Sequence, residues 1–162
     1  MSGFVSRPPS ADTLPPPTVP PEVITSDGWW PDIDMAKLRQ VAKLDTNITP
    51  ERLRDAAIAA MIELNGELEA WRAPHDAAGA ANLHAVEAPQ IDGESRYVHL
   101  YTRALYSAVA ADLSERLADV MATTAGLDRA AELGVTVDQH RRAQRWAIRT
   151  FLGLPHNTVE LI

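Results

Sequence analysis

Residues 49–74 read TPERLRDAAIAAMIELNGELEAWRAP, and this stretch determines the fold class. Thr49-Pro50-Glu51 matches the N-cap, the first position and the acidic first turn of a helix. The apolar residues that follow recur every three or four positions, which places them on one helix face: Leu53, Ala57, Met61, Leu64, Leu68 and Trp71. Pro74 predicts the end of this helix. Gly66, which costs about 1 kcal/mol relative to alanine inside a helix, predicts close approach of a neighbouring helix.

On the N-terminal side of this stretch, two adjacent tryptophans, Trp29-Trp30, precede a short helix predicted to end near Lys43. Pro31, Asp32 and Asp34 suit the first turn of that helix, because proline fits its first position and carboxylates favour its positive end. We interpret the tryptophans as a hydrophobic anchor that pins the preceding segment to the core. The alternative is that both rings are exposed for a partner.

On the C-terminal side, two more helices complete the prediction. A long connection over residues 74–94 contains one helical turn near 82–85, and a second long helix runs from residue 92 or 95 to about 123. The last helix is expected to begin at the capping box Thr136-Val137-Asp138-Gln139 and to end at Gly153. We therefore predict an all-α protein: a small helical bundle with two long helices, one shorter N-terminal helix and one C-terminal helix.

The two ends of the chain differ in composition from this helical part. Eight of the twelve prolines lie within residues 1–31, so residues 1–30 are expected to form a Pro-rich mobile arm. Residues 31–153 form the helical domain. Residues 154–162 form a tail whose end is β-prone and apolar at alternate positions, which favours a free strand that pairs with a partner. The residues of this predicted docking strand are Thr158, Val159, Glu160, Leu161 and Ile162.

Composition excludes several classes of protein. The net charge of −7 disfavours binding of nucleic acid through the whole surface, although it permits one local basic patch. The chain has no cysteine, so disulfides, thiolate metal sites and thiol nucleophiles are excluded. It contains neither an apolar run of the ~18 residues that span a bilayer nor the apolar core of a signal peptide. We expect a soluble protein that is not secreted.

The sequence offers no pattern typical of catalysis or of metal binding. The five histidines lack the i, i+4 pairing with a nearby glutamate that a helical zinc site requires: His75, His84, His99, His140 and His156. His99 is better explained as a hydrogen-bonded side chain on the long helix. No phosphate-binding glycine loop or nucleophile elbow is present. We therefore expect no enzyme, no metal site and no cofactor.

One cluster of charged residues stands out in the sequence, and it lies in the last helix. Arg141, Arg145 and Arg149 recur every four residues on one face, Arg142 lies beside them, and only Asp138 balances them locally. The stripe has three interpretations: a solvated face that complements the helix dipole, a contact with an acidic partner surface, or a contact with DNA phosphates. The residues alone leave the three open.

Six short segments together resemble the head completion proteins of temperate contractile-tailed phages, the protein L family. The resemblance covers about 130 residues, not including the Pro-rich arm in detail, and the stretch from Ile91 to Ser95 is its most specific part. It is carried by Pro31-Asp32-Ile33-Asp34, Arg52-Leu53-Arg54, Glu69-Ala70-Trp71-Arg72, Ile91-Asp92-Gly93-Glu94-Ser95, Tyr101-Thr102-Arg103-Ala104 and Arg145-Trp146-Ala147.

This resemblance implies a structural virion protein without an active site. Such a head-tail connector adaptor docks on the portal vertex after DNA packaging and prepares the head for tail joining. The expected partners are the portal protein, further copies of the chain, the next neck or tail-completion protein and the genomic DNA in the channel, with no membrane. The chain is expected to be monomeric in the host cytoplasm and a dodecameric ring in the virion neck, and a prophage origin is compatible with this. By analogy, residues 158–162 would add a strand to the portal.

A function from another class is a small helical DNA-binding or regulatory protein that reads DNA with the Arg-rich last helix. Such a protein is expected to have a basic overall balance and a compact turn between two short helices. This chain has an acidic balance and long predicted helices. The sequence therefore favours the adaptor.

Overall fold

Helices dominate the residues that the structure, a computed structural model, describes: 22–44, 48–122 and 127–155. The helices are α1 Met35–Val41, α2 Pro50–Ala77, α3 Arg96–Ala122 and α4 Leu127–Phe151, with a 3-10 turn over Leu83–Ala85. Two antiparallel pairs of two-residue strands join β1 Val23–Ile24 to β2 Ile33–Asp34, and β3 Gln90–Ile91 to β4 Glu94–Ser95. The predicted all-α class is confirmed. Within these residues, no helix is both long and apolar enough to cross a membrane.

Helix α2 has the start and the apolar face that the sequence predicts. The Thr49 side chain accepts a hydrogen bond from the Arg52 amide at 3.3 Å, and the stripe from Leu53 to Leu68 is buried. The predicted end at Pro74 is wrong, because the helix continues to Ala77. Proline removes one backbone donor but keeps its carbonyl, which accepts from the Ala78 amide at 3.1 Å, so the last turn can still form.

The expectation for Gly66 is also wrong. This glycine is exposed on the outer side of α2, and no described atom outside its own helix turn lies within 4 Å of the position that a β-carbon would take. Packing within the described chain therefore does not explain a residue that weakens the helix.

Of the two starts predicted for α3, the one at Ser95 is correct to within one residue, because the residues before it form a hairpin. Asp92 and Gly93 have φ of +54° and +74° and connect β3 to β4. Two central residues with positive φ are typical of the tight turn that matches the twist of paired strands, and Asp-Gly is among its favoured sequences. The prediction of a helix start at Asp92 is corrected to Arg96.

Helix α4 is longer than predicted at its N-terminal end. It begins at Leu127, so Thr136-Val137-Asp138-Gln139 lies inside the helix and is not a capping box. Extensive packing along α3 supports a longer helix than the local signal indicates. The C-terminal end agrees with the prediction: the helix ends at Phe151, and Gly153 takes a φ of +69° just beyond it. The bundle thus has a third long helix.

An aromatic cluster ties the three long helices together. Trp30 stacks on Tyr101 of α3 with ring centres 5.1 Å apart, and Trp71 of α2 meets Phe151 of α4 at 4.6 Å. Trp29 packs edge-on against both Trp30 and Trp71. Trp29 and Trp30 are only 4% and 2% exposed, so the anchor interpretation is confirmed and the exposed alternative is wrong.

The carboxylate of Asp27 holds the tryptophan segment in place. One of its oxygens accepts from the amides of Trp29 and Trp30 at 3.0 and 3.1 Å, and the other accepts from Arg72 of α2 at 2.6 Å. Burial alone would raise the pKa of Asp27, but these backbone bonds and the Arg72 guanidinium together lower it. Residues 22–30, assigned to the arm by sequence, therefore pack on the helices, whereas residues 1–21 lie outside the described part.

We expect Asp27→Ala to lower the free energy of unfolding by about 1–3 kcal/mol, because two tryptophan amides lose their acceptor. Asp27→Asn keeps one acceptor oxygen and should lose less. Since the carboxyl pKa is lowered in the folded state, its contribution is present above the ordinary pKa and disappears as the pH falls, so wild type should lose more stability on acidification than Asp27→Asn. Urea unfolding at neutral and acidic pH measures both effects. Equal unfolding midpoints for wild type and Asp27→Ala would contradict the prediction.

A second prediction concerns Tyr101, whose pKa is raised by burial and, to a smaller extent, by the charge of Asp27. Above pH 10 the unfolded chain releases this proton while the folded chain keeps it, so stability falls with rising pH. Tyr101→Phe should reduce the slope of that decline by up to about 1.4 kcal/mol per pH unit. It should be less stable at pH 8, because the 2.7 Å hydrogen bond to Asn65 is lost. Urea unfolding between pH 8 and 11 tests this, and parallel slopes would refute it.

Candidate interaction site on the last helix

The three predicted arginines lie along one groove beside α4, with a volume of 440 Å³. Arg141, Arg145 and Arg149 line it together, as their four-residue spacing predicts. The groove, called the basic groove below, also contains a carboxylate from α2 and apolar side chains from the end of α4. Its lining comprises Glu67, Arg141, Gln144, Arg145, Ile148, Arg149, Leu152 and Leu154.

Arg141 has a partner within the chain. Its guanidinium forms two hydrogen bonds with the carboxylate of Glu115 on α3, one of them from Nε at 3.1 Å. This bonding raises the pKa of Arg141 above its ordinary value, so the side chain is charged at any physiological pH. The pair joins the facing sides of α3 and α4, which run antiparallel. Arg141 thus has a structural role that the sequence pattern could not reveal.

Arg149 also bonds within the chain, at the point where α4 ends. Its guanidinium donates from Nε and Nη2 to the carbonyl oxygen of Pro155, the Nε bond measuring 3.0 Å. Gly153, with positive φ, reverses the chain, and the Leu154 amide then donates to the carbonyl of Arg149 at 2.8 Å. These bonds fix the segment 153–155, called the tail root below, against the last turn of α4.

Arg142 and Arg145 are exposed, as Arg141 is, but neither forms an ion pair with any residue that the structure describes. Beside them the groove is apolar: Ile148 is buried and Leu154 is 46% exposed. Guanidinium groups next to apolar surface can bind a carboxylate-bearing protein surface, since the charge pairs with the acid while the apolar side chains lose contact with water.

Trp146 is a candidate contact residue that the sequence analysis missed. It is 52% exposed, whereas Trp29, Trp30 and Trp71 belong to the aromatic cluster. It lies between Arg145 and the buried Ala147, over a second groove of 410 Å³ that Leu100, Arg103 and Thr150 also line. Its position off the apolar stripe of α4 was the available signal. Exposed tryptophan and arginine are enriched where proteins bind one another most strongly.

The described histidines take ordinary structural positions. His99 shares a 2.8 Å hydrogen bond with the Ile91 carbonyl, which confirms the prediction for that residue, and His84 lies 2.8 Å from the Glu94 carboxylate. His99 and His140 both line an open cavity of 480 Å³ between α1 and α3. Among the residues described, no three histidine or acidic side chains are grouped closely enough to hold a metal ion.

The predicted docking strand, residues 158–162, lies outside the described residues, as does His156. The structure nevertheless describes the chain up to Pro155, so the tail root is the last part of the chain with a known position. It borders the basic groove through Leu154.

The sequence of this chain is similar to those of known phage proteins. Residues 24–162 match the family model described as phage head completion protein (GPL). The chain is also 36% identical over 149 residues to the head completion/stabilization protein of Escherichia phage P2, an alignment that covers 92% of this chain and 88% of that protein. No solved structure shows significant similarity to the chain.

Proposed function

This chain belongs to the phage head completion protein family, and we propose that it completes the head by docking as a ring on the portal vertex after DNA packaging. The family match over residues 24–162 carries the proposal, because it includes the helical bundle, the basic groove and the tail. The role is one of assembly and requires no catalytic step, metal or cofactor. On the portal the ring would act as a connector that prepares the head for tail joining.

The neighbourhood of the basic groove and the tail root supports a single docking region. Arg149 lines the groove and also bonds to Pro155, so the tail leaves the domain beside the exposed Arg145. A partner that receives the tail would therefore lie against the arginines as well. Two adjacent contacts to one partner reinforce each other, since the first raises the effective concentration of the second.

The tail itself is proposed to bind by strand addition. Residues 158–162 alternate apolar and polar side chains, and a short extended segment can add to an open sheet edge of the portal through its backbone hydrogen bonds. Ordering the tail only on docking lowers the affinity of a single subunit. A monomer would then bind weakly in the host cytoplasm, whereas a ring of subunits, twelve by the family resemblance, would bind firmly in the virion neck.

The arginines are proposed to contact protein in preference to DNA. The net charge of −7 opposes general attraction to the phosphates of DNA. The exposed arginines also lie next to two exposed apolar side chains, those of Trp146 and Leu154. The genome would pass through the ring without being held by it. The same considerations weigh against the alternative of a DNA-binding regulator. The next neck or tail-completion protein would bind the side of the ring away from the portal.

Deleting residues 157–162 tests the docking strand. Helicity and the melting temperature should change little, because the deleted segment follows the tail root, where the interactions with α4 are made. Co-sedimentation with portal rings of the same phage should be lost. Circular dichroism of both proteins serves as the folding control. Equal binding by both forms would remove the docking strand from the proposal, and unfolding of the truncated form would assign the tail to the core.

Replacing Arg141, Arg145 and Arg149 together by glutamine tests the basic groove. The triple variant should fold, since exposed charge pairs contribute only about 0–1 kcal/mol each, but it should bind portal rings more weakly. Lys37→Gln, Arg52→Gln and Arg116→Gln together, on α1, α2 and α3, form the matched control for the loss of three positive charges. If the triple variant bound portal rings as well as the control did, the arginine stripe would be a solvated helix face without a role in docking. A loss seen only when packaged DNA is present would assign the stripe to DNA.

A further inference from the structure

The outer side of α2 exposes apolar residues that the bundle does not cover. Ile62 is 68% exposed and Ile58, one turn earlier, is 40% exposed. Gly66 follows one turn after Ile62, and the acidic residues Asp55 and Glu69 lie one heptad to either side of Ile62 on the same face. These five residues are called the α2 outer face. It presents a short apolar strip with a carboxylate at each end, of which that of Glu69 lies 3.9 Å from the Arg72 guanidinium.

The exposed side of α4 has the opposite character. Arg142, Arg145 and Trp146, called the α4 outer face below, combine positive charge with a 52% exposed indole. A surface that pairs with it should offer carboxylates on either side of apolar side chains. Among the described helices, the α2 outer face has this arrangement, and it lies on a different helix of the same chain.

Gly66 provides an independent indication that something contacts the α2 outer face. A glycine in the middle of a helix costs about 1 kcal/mol relative to alanine. No described atom outside its own helix turn lies within 4 Å of the missing β-carbon, so the chain itself gains nothing from the absent side chain. A side chain from outside the molecule can therefore approach the helix backbone at Gly66 without meeting another described atom.

We propose that the α4 outer face of one copy binds the α2 outer face of a second copy, with Trp146 over Ile62 and Gly66 and with Arg142, which does not line the basic groove, against Asp55. The two faces are different, so the contact is head-to-tail and can repeat from copy to copy. It can close into a ring or extend into a chain. This inference rests on the proposed self-association in a ring and assigns the surfaces that form it.

Single cysteines can test the contact, because the natural chain contains none. Ala59 on α2 and Gln139 on α4 are exposed and border the two faces. Two variants are mixed, Ala59→Cys and Gln139→Cys, and one of them carries a tag that changes its size. The mixture is treated with a short bis-maleimide cross-linker, once in concentrated solution and once on portal rings. The mixture should yield several-fold more heterodimer than either variant yields homodimer. A chain carrying both cysteines should yield a ladder of larger species.

Charge reversal gives the contact its specificity test. Arg142→Glu in the Gln139→Cys protein should reduce the heterodimer several-fold, and Asp55→Arg in the Ala59→Cys protein should restore it. Gly66→Leu in the Ala59→Cys protein should also reduce the heterodimer while circular dichroism remains unchanged. Glu87→Cys, in the connection between α2 and α3, replaces Ala59→Cys as the control and should form little heterodimer with Gln139→Cys.

Two results would overturn the inference: heterodimer no more abundant than homodimers under both conditions, or a Glu87→Cys control that cross-links equally well. Failure of the proposed function is seen separately, as loss of co-sedimentation with portal rings. Heterodimer in solution without portal binding would retain the contact and remove the portal docking. Portal binding without heterodimer would retain the docking and remove the contact.

Discussion

The burial of Trp29 and Trp30 between the long helices is the constraint on which the rest of the structure depends. A tryptophan buries about 150–250 Å², which at about 25 cal/mol per Å² corresponds to roughly 4–6 kcal/mol per ring before entropy is subtracted. The whole stability of a domain is about 5–15 kcal/mol. Asp27 helps to hold the rings in this position through hydrogen bonds to both tryptophan amides and to Arg72. The loop that contains Asp27 thus supports the groove on α4 indirectly, because Trp29 packs against Trp71 and Trp71 packs against Phe151 of α4.

Much of the fold could be predicted from sequence where a local signal and the tertiary packing agree. The Thr49 cap, the apolar stripe of α2 and the role of Gly153 are of this kind. The start of α4 was not predicted, because the capping-box pattern at Thr136-Val137-Asp138-Gln139 lies inside a helix that begins at Leu127 and packs extensively along α3. The hairpin at Asp92-Gly93 was missed for a different reason. Its strands are two residues long, too short for an alternating apolar pattern to be visible, and only the Asp-Gly pair indicated it.

The spacing of the arginines in the candidate site could be predicted from sequence, but the residues to which they bond could not. Four-residue intervals suffice to place Arg141, Arg145 and Arg149 along one groove. That Arg141 meets Glu115 depends on the register between two helices, which a sequence without homologues does not specify. Trp146 shows the reverse limitation. Tryptophan is usually counted with the core, and only its position off the apolar stripe of α4 indicated that this one is exposed.

The bond between Arg149 and Pro155 has a mechanical consequence. Together with the hydrogen bond from the Leu154 amide to the Arg149 carbonyl, it restrains rotation of the segment 154–155 about Gly153. Because the Arg149 guanidinium is bonded to the Pro155 carbonyl, a force applied to Pro155 is transmitted to the α4 backbone through the arginine side chain as well as through Gly153. The load then reaches Phe151 and the aromatic rings packed around it. The position of Pro155, the last described residue, is therefore set by α4.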